Sequence, residues 1–497
     1  MDQRLLAQGR NVARRLNRRI QMTIPSILAA GETFSLRLTA FGPDALPFGD
    51  FEGTIAFEGS TGIEGLPASV RFAPASKGMM EIAGLKAVGP EYAVVRADID
   101  GIAIQSNPAW VLPEPEYRLY WGDIHVHTTY SNCSAWSCKD PEFAYAYARD
   151  AAHLDFAAAA DHLRGIASDP RRWPRLQQLA AQYDEPGRFT AFLAFESSHR
   201  TGFGGDNNAY YLQTDGPHFW LDRDDMRGAV PAVPLQTLWE FLDATGRTYF
   251  TAPHHTGRAG KYRSFADAPY DARREPLFEI YSAWGSSEMR HTAFPLHAGN
   301  AETPAYFADA LRAGCRYGVI ASSDDHTTLP GGESRNWGTA LGPAALSGYH
   351  HMGLAAVRAD ELTRPALWQA LTGRNTYGTT FARTIVDLRL GDLAMGQEAE
   401  VRPADPLRRK RRIRVRLSIA DQRAATVVLV RNGRDIARQA IKPAYPIAEA
   451  IFEEETPLDE IALREAPFHP QPFVVYYARI ETARHQAQWT SPIWLDL

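Results

Sequence analysis

The chain predicts an α/β fold, a barrel or barrel-like sheet carrying a β-sandwich-like domain on either side, and three observations predict it. Between about residues 116 and 385, short apolar runs alternate with helix-like segments. Each of these runs ends in side chains that bind metal ions. On both sides of the stretch the pattern changes to short alternating runs broken by turns. Parallel α/β folds, barrels above all, gather their chemistry at the C-terminal ends of strands, which is where every cluster falls.

The N-terminal part, residues 1–115, reads as β-rich. Its first twenty residues carry Arg4, Arg10, Arg14, Arg15, Arg18 and Arg19 against Asp2, the pattern of a solvated amphipathic lead-in helix rather than a targeting segment. Runs such as Thr33-Phe-Ser-Leu-Arg-Leu-Thr-Ala40 and Tyr92-Ala-Val-Val-Arg-Ala-Asp98, separated by Gly/Pro turns, then suit a small sandwich. Pro108 and Pro113-Glu-Pro115 mark a joint.

The central part, 116–385, opens with Trp121-Gly-Asp-Ile-His125-Val-His127-Thr-Thr-Tyr-Ser131. Two histidines spaced i, i+2 at a strand end point their rings the same way, as a metal site needs. Four more apolar runs follow: Asp155 to Asp161-His162, Thr190 to Glu196, Thr248 to Pro253-His254-His255, and Tyr317 to Ser323-Asp324-Asp325-His326. Between them, 141–153, 235–245 and 304–313 read as helices. Asp140-Pro141 gives an N-cap with proline at N1, and Gly314 and Gly373 fall where helices stop. In the last part, 386–497, Arg412-Ile-Arg-Val-Arg-Leu-Ser-Ile419 and Phe473-Val-Val-Tyr-Tyr-Ala-Arg-Ile480 alternate like antiparallel strands. The basic run Arg408-Arg-Lys-Arg-Arg412 reads as a solvated strand edge facing Glu453 to Glu455.

Composition narrows the function classes. At 497 residues, 45% hydrophobic and 22% charged, the chain suits two or three globular domains. A formal net charge of -5 gives no global attraction to nucleic acid or anionic membranes, so any anionic substrate must be held by a local site. No apolar run is long enough for a membrane helix and no secretory signal opens the chain, so a cytoplasmic protein is expected. Three cysteines argue against a disulfide framework and fit a reducing compartment.

His125, His127, His162, Glu196, His254, Asp324 and His326 exceed what one ion can use, so two or three divalent ions are implied, with mixed N/O ligation favouring Zn, Mn or Fe. Cys133 follows the His-x-His pair closely enough to join them, and would favour Zn. Asp161 is expected to orient His162 or a neighbouring ligand, and Asp123 is read similarly. In the loop Thr256-Gly-Arg258-Ala-Gly-Lys261-Tyr-Arg263, Arg258 is the preferred clamp for a phosphate or carboxylate. Asn207, Tyr210 and Tyr281 are weaker candidates for the pocket. His153, His350, His351, His469 and His485 read as structural or solvated, and His199 and His291 stay undecided.

These motifs, in this order, resemble the PHP (polymerase and histidinol phosphatase) superfamily of metal-dependent phosphoesterases over about residues 118–385. Within it the chain looks like a bacterial branch of unknown function with β-rich flanks, in which Glu279-Ile-Tyr-Ser-Ala-Trp-Gly-Ser-Ser-Glu288 and Trp489-Thr-Ser-Pro-Ile-Trp494 also have counterparts. The resemblance implies a PHP-like distorted (β/α) barrel. By motif, His125, His127, Glu196 and Asp324 would hold one ion, His162 and His326 another, and Glu196 with His254 a third or bridging ion. Glu288 is implied as a further ligand. Two residues depart from the pattern: Cys133 stands where the superfamily usually has His or Asp, and Asp206 where the branch often has His.

The implied reaction is hydrolysis of a small-molecule phosphate ester by a metal-bridging hydroxide. Two alternatives stand beside it: a metal-dependent esterase, lactonase or amidohydrolase, and a binding protein whose ions are structural. The expected partner is a small, anionic substrate, with no nucleic acid and no membrane.

Overall fold

The computed structural model describes residues 20–497 apart from 43–44, 90, 100, 133–137, 200–201, 220–232, 300–303, 333–351, 421–423, 442–445 and 483–485. It is mostly β, which overturns the expected α/β barrel. The longest α-helix among the described residues, Arg172–Gln182, has 11 residues. Several expected helices are present but short: 141–153 gives Pro141–Ala146 followed by a wider turn, 235–245 gives Leu235–Ala244, and 304–313 gives Phe307–Arg312. Asp140 caps the first by accepting from the Phe143 amide at 2.9 Å. No described helix is long and apolar enough to cross a membrane.

Strand direction is where the barrel expectation fails. A 13-stranded sheet runs from Tyr249–Pro253 through Asp206–Tyr211, Thr190–Ser198, Phe156–Ala159, Arg118–Val126, Leu354–Ala359, Thr376–Thr379, Gln486–Thr490, Phe473–Thr482 and Ala425–Arg431 to Arg434–Ile441, with Ile493–Asp496 and Glu398–Glu400 off this path. Along this path only Arg118–Val126 with Phe156–Ala159, and Phe156–Ala159 with Thr190–Ser198, are parallel. The remaining neighbours are antiparallel. Apolar runs report burial, not direction. The connection 199–205 is also too short for the crossover of a dozen or more residues that a parallel neighbour needs.

Residues 20–112 build a four-stranded and a six-stranded sheet around Leu28, Leu36, Leu38, Ile55, Phe72, Leu85 and Val95. They are bonded to the rest of the chain. The Trp121 indole donates to Ser26 Oγ at 2.9 Å, and the Trp110 indole donates to Ser418 Oγ at 2.7 Å. The basic run is no edge either: Arg411–Ser418 lies between Ile385–Leu390 and Ala448–Glu454. Alternation turns Arg412 and Arg414 outward toward Glu453 and Glu449. Arg411 turns inward, fully buried, and donates to the carbonyls of Leu407, Arg408 and Thr456.

A small sheet, Gly285–Ser286, Leu277–Ser282 and Gly318–Ala321, completes the surroundings of the site. Single bridges join it to the large sheet at two places, Val126 with Asp325 and His254 with Glu279. Ile124, Phe156, Phe192, Phe250, Leu277 and Ile320 pack in one cluster beneath these strand ends, all at most 1% exposed. Each such side chain contributes about 1.5–3 kcal/mol by leaving water, so the strand ends rest on a dry, fixed floor.

A candidate metal centre at the strand ends

Arg118–Val126 delivers His125 and His127, both fully buried. Alternation sends their rings to one side, with centroids 5.1 Å apart. His127 Nε2 lies 2.9 Å from Asp324 Oδ1 and 3.6 Å from Glu196 Oε2, while His125 Nε2 lies 3.5 Å from Asp324 Oδ1. Phe156–Ala159 leads to His162, whose Nδ1 contacts Glu196 Oε2. Tyr249–Pro253 leads to His254, whose Nε2 is 3.1 Å from Glu196 Oε1. Glu196 therefore lies between two imidazoles, one on each oxygen. Asp324, at φ 49°, and His255, at φ 28°, sit in backbone regions that non-glycine residues rarely adopt, and these turns face their side chains to each other at 3.3 Å.

The outer atoms of the histidines are held. Asp161 accepts from the Thr128 amide at 2.6 Å, from Thr128 Oγ1 at 2.8 Å and from Ser131 Oγ at 2.6 Å. Ser131 Oγ is in turn 2.8 Å from His127 Nδ1. Asp161 thus positions His127 through a serine, rather than touching His162. Glu279 does the same for His125, whose Nδ1 lies 3.1 Å away. Asp123 braces the next strand end by accepting from the Ser323 amide at 2.9 Å and the Gly331 amide at 3.2 Å, and burial pushes its carboxyl up to about 7. The turn after His162 fits only because residue 165 is glycine: a Cβ there would lie 2.0 Å from the Tyr130 carbonyl oxygen.

Four overlapping groups gather three or four ligand atoms within 4.8 Å of one another. They are His127, His162 and His326; His125, His127 and Glu196; His125, His254 and Asp324; and Glu196, Asp206, His254 and His255. Several of their atoms are buried without a hydrogen-bond partner, His125 Nε2, Asp206 Oδ1 and His254 Nδ1, while Glu196 Oε2, His255 Nδ1 and Asp324 Oδ2 meet only other members of the cluster. Buried polar atoms are normally satisfied, so orphans converging on one place fit cations, and the donor set of imidazoles and carboxylates fits divalent ions.

Charge in the cluster is strongly polarised. Burial and the neighbouring His162 lower His127 to about 4, leaving the neutral ring a ligand needs. Burial opposes a charge on His125 too, but Asp324 and Glu279 raise it to about 10. Burial alone would raise Glu196 and Asp324, yet the charge of His162 on the first and of His125 on the second holds both carboxyls well below their usual range.

The structure thus brings His125, His127, His162, Glu196, His254, Asp324 and His326 together. Cys133 lies outside the described residues, as do His350, His351 and His485. Glu288 is not at the centre: it accepts from Tyr477 Oη at 2.8 Å, Arg479 Nη1 at 2.6 Å and Trp489 Nε1 at 2.8 Å, three donors from the C-terminal strands. Sequence reasoning gave no role to Glu279, although a carboxylate inside the apolar run Leu277-Phe-Glu-Ile-Tyr-Ser282 was a signal. It noted Asp206 as a departure from the branch's pattern and, of the adjacent pair, favoured His254 over His255. His199 is buried and bonded to Ser197 Oγ and the Val233 carbonyl, and His291 is exposed.

No family model matches the chain. It is similar to proteins described as uncharacterized in Chlamydia pneumoniae (24% identical over 399 residues), Chlamydia muridarum (25% over 401) and Chlamydia trachomatis serovar D (25% over 408). Each match covers 79% of this chain and 60% of the relative, so the chain spans about 60% of the length of these proteins. Among solved structures, PhoD aligns at 12% identity and TM-score 0.16 over 29% of this chain and 27% of that one. An Escherichia coli alpha-2-macroglobulin fragment aligns at 8% and 0.15 over 94% and 97%. Similarities this low carry no argument about fold or chemistry.

Proposed function

We propose that this chain is a metal-dependent hydrolase that cleaves a phosphate ester of a small anionic molecule. The observation that carries the reading is the convergence of seven strand-end His, Glu and Asp residues into overlapping groups with orphaned, buried ligand atoms. His127, His162 and His326 would hold one ion, and His125, His254 and Asp324 another, with Glu196 between them. Ions held there would supply the chemistry: a bound water made far more acidic and a polarised bond to be broken.

The chain's own residues supply the rest. Asp161 through Ser131, and Glu279 directly, fix the two histidines of the first strand so that each offers Nε2 inward. Arg258 lies at the rim, its guanidinium carbon 4.3 Å over the Trp284 ring, and that ring is 5.8 Å from His326 and 6.1 Å from His255. Among the described residues no carboxylate pairs with it, so its fork of donors is free for an anionic group. The PHP resemblance favours phosphorus over carbon as the electrophile. Free, buried Cys138 and Cys315 favour a reducing cytoplasmic setting.

The test is elemental analysis of purified protein with hydrolysis of p-nitrophenyl phosphate, its phosphodiester and an ester analogue, for the wild type and His127→Ala. Bound metal with phosphoester turnover that His127→Ala abolishes is expected. Turnover of the carboxylic ester alone would replace this reading with an esterase or lactonase, and metal without turnover would leave a metal-stabilised binding protein.

A further inference from the structure

We propose that Lys261 stands in for a third metal ion, its ammonium holding Asp206, so that the centre takes two ions and not three. The inference rests on the metal-dependent reading above.

The four overlapping ligand groups cannot all fill. His125 Nδ1 is engaged by Glu279 and His127 Nδ1 by Ser131, so each ring has one nitrogen left for an ion. An ion on His127, His162 and His326 takes the only inward nitrogen of His127, and one on His125, His254 and Asp324 takes that of His125. Asp206 and His255, with the shared Glu196, then remain for a further ion. All three are buried; Asp206 Oδ1 has no hydrogen-bond partner, His255 Nε2 lies 2.9 Å from Asp206 Oδ2, and Glu196 meets imidazoles alone. On ligand chemistry alone, this is a third site.

A cation is already there. Lys261 Nζ lies 3.1 Å from Asp206 Oδ2 and 3.4 Å from Ser198 Oγ, and the side chain is 24% exposed. Its loop is anchored at both ends. His254 starts it. Arg263 ends it, fully buried, with Nη1 and Nη2 each 2.7 Å from a Glu275 carboxylate oxygen and its amide donating to the Thr256 carbonyl at 3.0 Å. The loop also presses on the strand that carries Asp206: a Cβ at Gly205, which has φ +70°, would lie 2.8 Å from the Lys261 carbonyl oxygen. Lys261 is therefore aimed by a fixed backbone and is not a wandering surface lysine.

An ion bound by Asp206 would sit about 2.0–2.2 Å from a carboxylate oxygen. The ammonium contacts that same carboxylate. Asp206 Oδ2 already takes both the ammonium and His255 Nε2, the latter at 2.9 Å, so its charge is matched and an ion arriving there would have to compete with Lys261 for it. The tethered ammonium needs no free metal and supplies one positive charge where an ion would supply two.

The experiment counts metals per chain by elemental mass spectrometry after loading with excess zinc and desalting. It uses the wild type, Lys261→Met, Lys261→Arg and the double variant Lys261→Met with Asp206→Asn, each checked for folding by circular dichroism. Two ions are expected in the wild type and in Lys261→Arg, three in Lys261→Met, and two again in the double variant. Equal counts of two in the wild type and Lys261→Met, or three in the wild type, overturn the proposal while leaving the metal-dependent reading standing. No ion in the wild type would overturn both. Anomalous scattering from zinc-soaked wild-type crystals gives an independent check that needs no variant: a peak within about 2.5 Å of Asp206 would overturn the proposal.

Discussion

Glu196 and Glu288 are both acids at the end of an apolar stretch, and both are nearly sealed from water at 2% and 1% exposure. Their surroundings differ. Glu288 is met by a phenol, a guanidinium that also holds Asp435 and Glu481, and an indole, and these donors satisfy both of its oxygens. Glu196 meets imidazoles alone, themselves candidate ligands. Burial does not separate an anchoring acid from a metal ligand. What separates them is whether the surrounding donors finish the job or leave it to an ion.

The hardest test of that contrast removes each acid in turn. Glu288→Ala strips a buried charge from Arg479 and leaves Tyr477 and Trp489 without acceptors, so urea denaturation should show a loss of about 3 kcal/mol or more with the metal count unchanged. Glu196→Gln should lose at least one ion by elemental analysis, with a metal-free stability loss smaller than that of Glu288→Ala. A stability loss in Glu196→Gln matching that of Glu288→Ala would erase the distinction. Next in size is the ion itself: loading should raise wild-type stability by about 2.7 kcal/mol at a hundredfold excess over Kd, a gain that a chelator reverses and Glu196→Gln largely lacks. Ser131→Ala breaks the relay from Asp161 to His127 without touching an ion. It should weaken metal affinity by about 10–100-fold in calorimetric titration, and unchanged affinity would show that the relay positions nothing.

The smallest effect concerns a histidine that resembles Glu288 rather than the ligands. His153 is buried, with Nε2 2.8 Å from Thr39 Oγ1 and Nδ1 3.0 Å from Thr23 Oγ1 across the junction with the N-terminal sheets. Burial, with Arg37 and Arg383 nearby, lowers its pKa well below 6.5. The folded chain then binds fewer protons than the unfolded one. The stability is thus fully present above about pH 6.5 and falls at lower pH, by up to about 1.4 kcal/mol per pH unit. Urea midpoints from pH 8 to 5 should show this slope, and it should flatten in His153→Gln.

The centre was more legible than the fold. His-x-His, Asp-His and Asp-x-His pairs announce themselves because their partners lie one or two residues away at a strand end. The sheet did not, because an apolar run such as 249–253 looks the same whether its neighbours run parallel or antiparallel, and the strand 206–211, Asp-Asn-Asn-Ala-Tyr-Tyr, is no apolar run at all. Only the short connection 199–205 betrayed a reversal. Glu288 was misplaced for a related reason: its partners Tyr477, Arg479 and Trp489 lie nearly two hundred residues further on, where no local pattern reaches. Arg411 and Arg412 show the same limit, since adjacent arginines in one basic run end up on opposite faces of one strand.

The segment from Glu279 to Glu288 works like a tent line. One end braces the ring of His125 and the other is pegged into Phe473–Thr482 and Gln486–Thr490, strands from the far end of the chain. A version of the protein cut after residue 385 would keep the expected ligands at 125, 127, 162, 196, 254, 324 and 326, yet lose the pegs. The C-terminal strands are therefore not a detachable accessory, and any shortened or recombined form that preserves the motifs must also preserve this distant hold or give up the stability it supplies.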